Sequence, residues 1–263
     1  MGEYIDIYRR AFYYDIVFRR DVGGEVQFLI DLYASHNERP LRSMVDIACG
    51  PGYHAKAFAA RGITACALDL QPEMIEFARS LGSHGEGLIH YLACDMRDFT
   101  LPDPVDLALN SFDSIDCLET QEQILNHFRA VARNLTANGF YVIEITHPRD
   151  CSMWDYGNYQ YKGERDGVAV VLDWAVNNPE ADPLTQVVEC EVVMTVDENG
   201  ERKVFRERAR ERFATLQEFS ALAKLSGALS LVASYGDYRL DQPFDNSPGA
   251  RRMIMVLQAD KVL

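Results

Sequence analysis

Five residues in this chain stand where small side chains and acids can hold a nucleotide-like ligand: Asp46, Gly50, Gly52, Asp69 and Asp95. An apolar run, 43–47, carries Asp46 and leads into Ala48-Cys49-Gly50-Pro51-Gly52, after which a helical pattern begins. Glycine at a strand-to-helix turn lets a ligand approach the backbone, because no Cβ stands in the way. A second apolar run, 63–68, ends at Asp69, nineteen residues beyond Gly50. An acid at that strand end can accept both hydroxyls of a ribose, so the segment reads as a nucleotide-binding strand-helix-strand unit. Gly50, Gly52 and Ala55 also satisfy G-x-G-x-x-[GA], which keeps a dinucleotide in play.

Further details turn the reading away from a dinucleotide. Asp46 lies four residues before Gly50, where dinucleotide folds usually carry an apolar residue. A third run, 88–93, ends in Cys94-Asp95-Met96, and a fourth, 105–109, ends in Asn110-Ser111-Phe112-Asp113. Polar groups thus close four successive strands. This ordered set resembles the class I S-adenosylmethionine (SAM)-dependent methyltransferases, over about 43–146 and more weakly to the C-terminus. The resemblance implies SAM as cofactor and S-adenosylhomocysteine as product. It implies that Asp46, Gly50 and Gly52 hold the methionine end, Asp69 the ribose, and Asp95 with Met96 the adenine, which Met74 also reaches. It places Asn110 beside the sulfonium and an N-terminal aromatic, Tyr14, over the cofactor, with Ala48, Leu70 and Ser111 completing the cofactor set.

The remaining pattern supplies the frame. Helices are expected over 54–61, ended by Gly62, from Pro72 through Met74, Ile75, Phe77, Ala78 and Leu81, and over 119–135. Asn138-Gly139 reads as a stop before strand five, 140–145. Alternating strands and helices predict a mostly parallel sheet with helices on both faces and every strand's ligand-binding end on one edge. Residues 150–212 lose helical periodicity, and 168–174, 186–196 and 203–212 read as strands, with Asn199-Gly200 as a hairpin turn. Thr215 and Glu218 form a capping box for a helix that buries Leu216, Phe219, Leu222, Ala223 and Leu225 and closes at Gly227. Strands 229–235 and 252–258, joined by the loop 236–249, predict a reversed last strand, typical of the methyltransferase fold. The expected architecture is α/β: a Rossmann-like, doubly wound, seven-stranded sheet with a reversed last strand, plus an antiparallel β insertion after strand five. Residues 1–263 read as one methyltransferase domain. Within it, 1–42 form an N-terminal helical lid whose stripe includes Tyr4 and Ile5, and 43–149 the SAM-binding core. Residues 150–212 form a β-rich insertion walling the acceptor pocket, and 213–263 the last helix and two strands.

Methyl transfer from a sulfonium is an in-line displacement whose leaving group is already activated, so positioning and water exclusion are the enzyme's main tasks. No protein nucleophile is required, and a general base only where the acceptor must lose a proton. Asp113 and His147, just beyond strands four and five, are the candidate bases. Trp154, Tyr156, Tyr159 and Tyr161 form an aromatic cluster suited to an apolar or cationic acceptor. His54 reads as a surface or capping residue, Cys49 as a backbone contact, and Cys66 and Cys117 as small buried side chains.

A net charge of −14, with 26 Lys and Arg against 40 Asp and Glu, disfavours a nucleic-acid partner. The Arg-rich stretch 201–212 is interleaved with Glu201, Glu207 and Glu211 and reads as a solvated strand face. Asn110-Ser111-Phe112-Asp113 lacks the N-P-P-[YF] signature of many amino-group methyltransferases of nucleic acids and proteins. The six cysteines form no C-x-x-C, no metal site is expected, and the pattern suits a reducing cytoplasm. No apolar run approaches the length of a membrane span, and the first residues carry no apolar signal core. The expected partner is a small-molecule methyl acceptor, with oligomeric state left open, a homodimer included. The rivals are a SAM-binding module without catalysis and an NAD(P)-dependent oxidoreductase.

Overall fold

The computed structural model describes residues 6–82, 85–153 and 155–259. Tyr4, Ile5 and Trp154 lie outside the described residues. After a 3-10 turn at Asp6–Arg9 come α1 (Ala11–Phe18) and α2 (Gly23–His36). The core then alternates: β1 (Ser43–Ile47), α3 (Tyr53–Ala59), β2 (Thr64–Asp69), α4 (Pro72–Ser80), β3 (Ile89–Ala93), β4 (Val105–Asn110), α5 (Gln121–Arg133) and β5 (Leu135–Thr146). Four antiparallel strands follow, β6 (Tyr159–Arg165), β7 (Val168–Trp174), β8 (Val187–Glu198) and β9 (Glu201–Arg212). The chain closes with α6 (Leu216–Ser226), β10 (Leu229–Tyr235) and β11 (Arg252–Ala259).

The main sheet has seven strands in the order β10-β11-β5-β4-β1-β2-β3. Strands β1 to β5 pair in parallel, whereas β11 is antiparallel to both of its neighbours, so the reversed last strand is present. Strand alternation explains the two cores. Val45, Ile47, Tyr141 and Met253 face one way and pack with Phe128 of α5 and Phe219 of α6. Met44, Ala65, Phe140 and Ile254 face the other way and pack with Leu29 of α2 and Phe58 of α3. The four-stranded sheet has its own core, to which Ile7 and Ile16 of the N-terminal segment contribute.

Local signals account for most boundaries. Both α5 and α6 start at capping boxes, Thr120 with Gln123 and Thr215 with Glu218. Gly227 ends α6 at φ 69°, a left-handed conformation that glycine adopts without steric cost. Asn199 and Gly200, both at positive φ, turn β8 into β9. Three expectations change. Asn138-Gly139 is no stop but part of β5, where the register with β4 shifts between Val105 and Leu107. That bulge folds tightly enough that a Cβ on Gly139 would sit 3.1 Å from the carbonyls of Asp106 and Thr136. Strand β6 adds to the expected strands: its inward face carries Tyr159 and Tyr161 but continues with Gly163 and Arg165, so apolar alternation is too short to mark it and its pairing with β7 is fixed by tertiary contact. A Cβ on its Gly163 would overlap the Ile16 carbonyl, so bare backbone is what lets α1 pack on β6. Leu225, read as inward, is 65% exposed. Among the described residues, no helix is long and apolar enough to cross a membrane.

Asp15 joins the three parts of the molecule. Its side chain is fully buried on α1 and accepts bonds from Arg165 of β6, from Tyr53 Oη of α3 and from Arg19 Nη2, the last at 2.8 Å. Burial raises the carboxyl pKa, but these three partners outweigh it and hold the group below its ordinary value of 3.8. The stabilisation is therefore complete above that pH and is lost as pH falls through the depressed value. Replacing Asp15 by Ala leaves Arg165 and Tyr53 facing an emptied site, a loss of roughly 3–5 kcal/mol by analogy with other broken buried pairs. Thermal unfolding at pH 7 should show a midpoint lower by about 6 °C or more; an unchanged midpoint would show that the three partners hold one another without it.

Candidate active site

A cavity of about 330 Å³ opens along the C-terminal edge of the parallel strands. Its floor is made by the ends of β1, β2, β4 and β5, and its roof by Tyr8, Tyr14 and Phe18 of the N-terminal segment together with β6 and β9. Crossover connections bring these strand ends to one edge, which is where open α/β sheets bind ligands.

The glycine loop forms one end. Ala48, Gly50 and Gly52 all have positive φ (56°, 53° and 74°), so alternate residues are left-handed and the loop turns with no side chain larger than a methyl at these three positions. Cys49 N–H donates to the Leu68 carbonyl, which fastens the loop to β2, and Lys56 Nζ ties the Pro51 carbonyl to that of Ala78 on α4. A Cβ on Gly50 would stand 3.9 Å from the Tyr14 ring. Asp69 closes β2 and accepts N–H bonds from Gly50 at 3.0 Å and from Gln71 at 2.9 Å. Burial pushes its carboxyl above the usual range even so. Asp95 faces the same space, gripped by Arg97 through Nε and Nη2. Burial raises the Asp95 pKa, and the Arg97 bonds override it, leaving the group below its ordinary value. Met74, Leu70 and Met96 complete this end.

His127, fully buried on α5, sets the position of Met96. Its Nδ1 donates to the Met96 carbonyl at 2.7 Å, and its Nε2 accepts from Tyr141 Oη at 2.6 Å. Burial drives its pKa down to about 4.

The other end lies under the small sheet. Asp113 is pinned by the Thr146 N–H and by Arg252 at 3.0 Å, and Arg252 also pairs with the buried Glu144. Asp116 Oδ1 is shielded from solvent and has no hydrogen-bond partner. Glu211 of β9 accepts from Tyr156 Oη, and Trp174 Nε1 donates to the same hydroxyl at 2.8 Å. Tyr8, Tyr159, Tyr161 and Phe112 add aromatic surface.

The structure therefore brings Tyr14, Ala48, Gly50, Asp69, Leu70, Met74, Asp95, Met96 and Asp113 to one cavity. Five other expected site residues do not line it. Asp46 lies behind the loop, where Oδ2 accepts the Ala55 N–H at 3.2 Å and burial raises its pKa to about 6. The Gly52 position faces Ala78 and Tyr91. Asn110 is enclosed within the sheet and donates to the Ile47 carbonyl, while the Ser111 carbonyl receives the Ser114 bonds of the next turn. His147 is buried with both ring nitrogens in use: Nε2 donates to the Asp245 carbonyl at 3.0 Å and Nδ1 accepts the Arg149 N–H at 3.1 Å. That pairing leaves it no lone pair for an acceptor's proton. His54, expected at the surface, is buried against Glu25 at 2.7 Å.

Tyr8, Asp116 and Glu211 were not anticipated as site residues. Glu211 shares strand parity with Ala209 and Phe205, so period-2 alternation along β9 carried the signal that its face turns inward. Glu207, of the same parity, likewise turns in, to Arg10. Arg206 and Arg208 do form a solvated face, paired with Glu191 and Glu189. No pattern marked Asp116, which sits in a short 3-10 turn at Ser114–Cys117.

Residues 44–139 match the family described as "Methyltransferase domain". A dTDP-3-amino-3,4,6-trideoxy-alpha-D-glucopyranose N,N-dimethyltransferase of Streptomyces venezuelae is 28% identical over 125 residues, 48% of this chain and 51% of its own. The cypemycin N-terminal methyltransferase of a Streptomyces species is 23% identical over 88% of both chains. The matched stretch covers 33–51% of the first curated relatives' own lengths. A SAM-dependent methyltransferase from Clostridium acetobutylicum ATCC 824 superposes with a TM-score of 0.74 at 18% identity, over 97% of this chain and 99% of that one. Residues 44–139 therefore match a methyltransferase domain, on a fold shared with that SAM-dependent enzyme.

His127 gives this site a measurable pH signature. Its folded pKa of about 4 lies below the unfolded 6.5, so its neutral form loses stability as pH falls from 6.5 to 4, by about 1.4 kcal/mol per unit. Urea unfolding of wild type and His127→Gln from pH 7 to 4.5 should show the two stabilities converging. Parallel curves would mean that His127 is not held neutral against Met96.

Proposed function

We propose that this chain is a SAM-dependent methyltransferase acting on a small molecule. One observation carries the proposal: the space beside the glycine loop and Asp69 continues without a break to an aromatic and acidic chamber under the small sheet. Cofactor and acceptor can thus meet in one cavity, which is what in-line transfer from a sulfonium requires. A module that bound SAM without catalysis would need no such second chamber.

The residues present fit the cofactor. The loop, with no side chain larger than a methyl at Ala48 and Gly50, admits the methionine end beneath Tyr14. Asp69 faces the ribose position with backbone N–H groups bracing its carboxylate, and Asp95, Met96 and Met74 bound the adenine position. Asp46 acts indirectly, by anchoring the first turn of α3 behind the loop. The 1–42 segment serves as the lid, and the 150–212 insertion as the wall of the acceptor chamber. When bound, SAM supplies an activated methyl group; the chain itself supplies orientation and a cavity. The oxidoreductase rival is disfavoured by β11, whose reversed direction belongs to the methyltransferase sheet.

The test is thermal unfolding with SAM, S-adenosylhomocysteine, NAD and NADP, each in large excess. A ligand at 100 times its Kd adds ~2.7 kcal/mol, which should raise the midpoint by roughly 5–11 °C. A shift with SAM and S-adenosylhomocysteine alone is expected, and Asp69→Ala should abolish most of it while the ligand-free protein stays folded. A shift confined to NAD or NADP would overturn the proposal, and an unaltered shift in the variant would remove Asp69 from ribose recognition.

A further inference from the structure

The two ends of the cavity treat their charges differently. At the cofactor end each acid is met by N–H donors or by Arg97. Under the small sheet, Asp113, Asp116 and Glu211 face one region. Arg252 is the cation bonded there, and it is shared between Asp113 and Glu144. The lining Arg97 and Arg210 are committed to Asp95 and Glu119. Arg212 also lines the cavity, buried, with Nη2 donating to Gln186 and with Nε and Nη1 lacking hydrogen-bond partners, and among the described residues it is ion-paired to no acid. Asp116 Oδ1 has no partner, and the Glu211 carboxylate has the Tyr156 hydroxyl. Neither of these two carboxylates is bonded to an arginine, a state that is costly for an enclosed carboxylate unless a ligand supplies the positive charge. Burial pushes both upward, and each is raised further by Asp113, Glu211 reaching about 7.

A metal ion would find few protein ligands here. Among the described residues, no three His, Cys, Asp or Glu side chains are grouped so as to hold one. The chamber walls are instead aromatic, with Tyr8, Tyr161 and Trp174 among them, and aromatic rings attract organic cations.

We infer that the methyl acceptor is an aliphatic amine that enters as its ammonium ion, seats between Asp116 and Glu211, and gives its proton to Glu211. The inference rests on the methyltransferase reading and names its substrate class. The proton moves from nitrogen to the Glu211 carboxylate and frees the nitrogen lone pair. That pair forms the new N–C bond as the S–C bond breaks, and the S–C electron pair returns to sulfur. The sulfonium becomes a neutral thioether, the methylated nitrogen carries the positive charge, and Glu211 later releases its proton to solvent. Asp116, drawn into its carboxylate form by the cation beside it, holds the cation before and after transfer. A quaternary ammonium fits the charge but has no lone pair to offer, and an alcohol brings no charge to offset the two carboxylates.

Calorimetry on the protein saturated with S-adenosylhomocysteine tests this without turnover. Cyclohexylamine and N-methylcyclohexylamine, both cations at pH 7.5, should bind at least tenfold tighter than cyclohexanol, which has nearly the same shape. Asp116→Asn and Glu211→Gln should each weaken the amines at least tenfold and leave the affinity for S-adenosylhomocysteine unchanged. Ligand-free Asp116→Asn should also unfold at a higher temperature than wild type, since an unpaired charge is gone. Cyclohexanol binding as tightly as the amines, variants that bind the amines normally, or no amine binding to protein that does take S-adenosylhomocysteine would each overturn the amine assignment alone. Failure of S-adenosylhomocysteine to bind would overturn the methyltransferase reading beneath it.

Discussion

The enclosure of this site depends on one buried carboxylate. Asp15 is where the N-terminal segment, the first helix of the nucleotide-binding core and the edge strand of the insertion meet. An unpaired carboxylate in that position would be strongly unfavourable, so the three elements are held in the one arrangement that supplies it with Tyr53, Arg165 and Arg19. Tyr14 and Phe18, on the same short helix, are thereby held over the cavity. Gly163 makes the joint possible, because a side chain at that position would collide with the Ile16 carbonyl. The roof over the cavity follows from that joint rather than from any strong propensity of α1, an eight-residue helix with no side-chain cap.

Within the enclosure, electrostatics divide the space. Around the glycine loop the protein satisfies its own acids: backbone N–H groups serve Asp69 and Asp46, and Arg97 serves Asp95. His127 is kept neutral by burial and spends both nitrogens on holding Met96 and Tyr141. Such a surface is rigid and pre-organised, and is suited to a ligand of fixed shape. Under the insertion the balance is left open, with Asp116 and Glu211 short of partners and aromatic rings around them. A protein accepts that cost where binding repays it, which is why strongly perturbed acids in a cleft mark functional sites.

The corrections share one cause. Position at a strand end points Asn110, Ser111 and His147 toward the site, but a strand end has an inner and an outer side. His147 turns toward the 236–249 loop and bonds the Asp245 carbonyl, 98 residues away. Asn110 is one position too deep in β4 and stays within the sheet. Glu211 erred in the opposite sense: in a chain with so many charges, an Arg-Glu alternation looks like solvated surface until the parity set by Phe205 and Ala209 is followed to the strand's end.

What the sequence determined alone was whatever depends on short spacing. The glycine turn, the acids closing β2 and β3, the capping boxes at Thr120 and Thr215 and the Asn199-Gly200 hairpin are all written in residues a few positions apart. Backbone sterics and hydrogen bonding act at that range, so they are legible without coordinates. Tertiary structure alone decided what depends on distant partners: β6, which exists because α1 and β7 lie against it, and the Asp15 joint, which spans 150 residues to Arg165. It also decided the meeting of Asp116 with Glu211 across one chamber. Charge pairing and desolvation are set by what surrounds a group in space, and sequence order carries no record of that until the chain has folded.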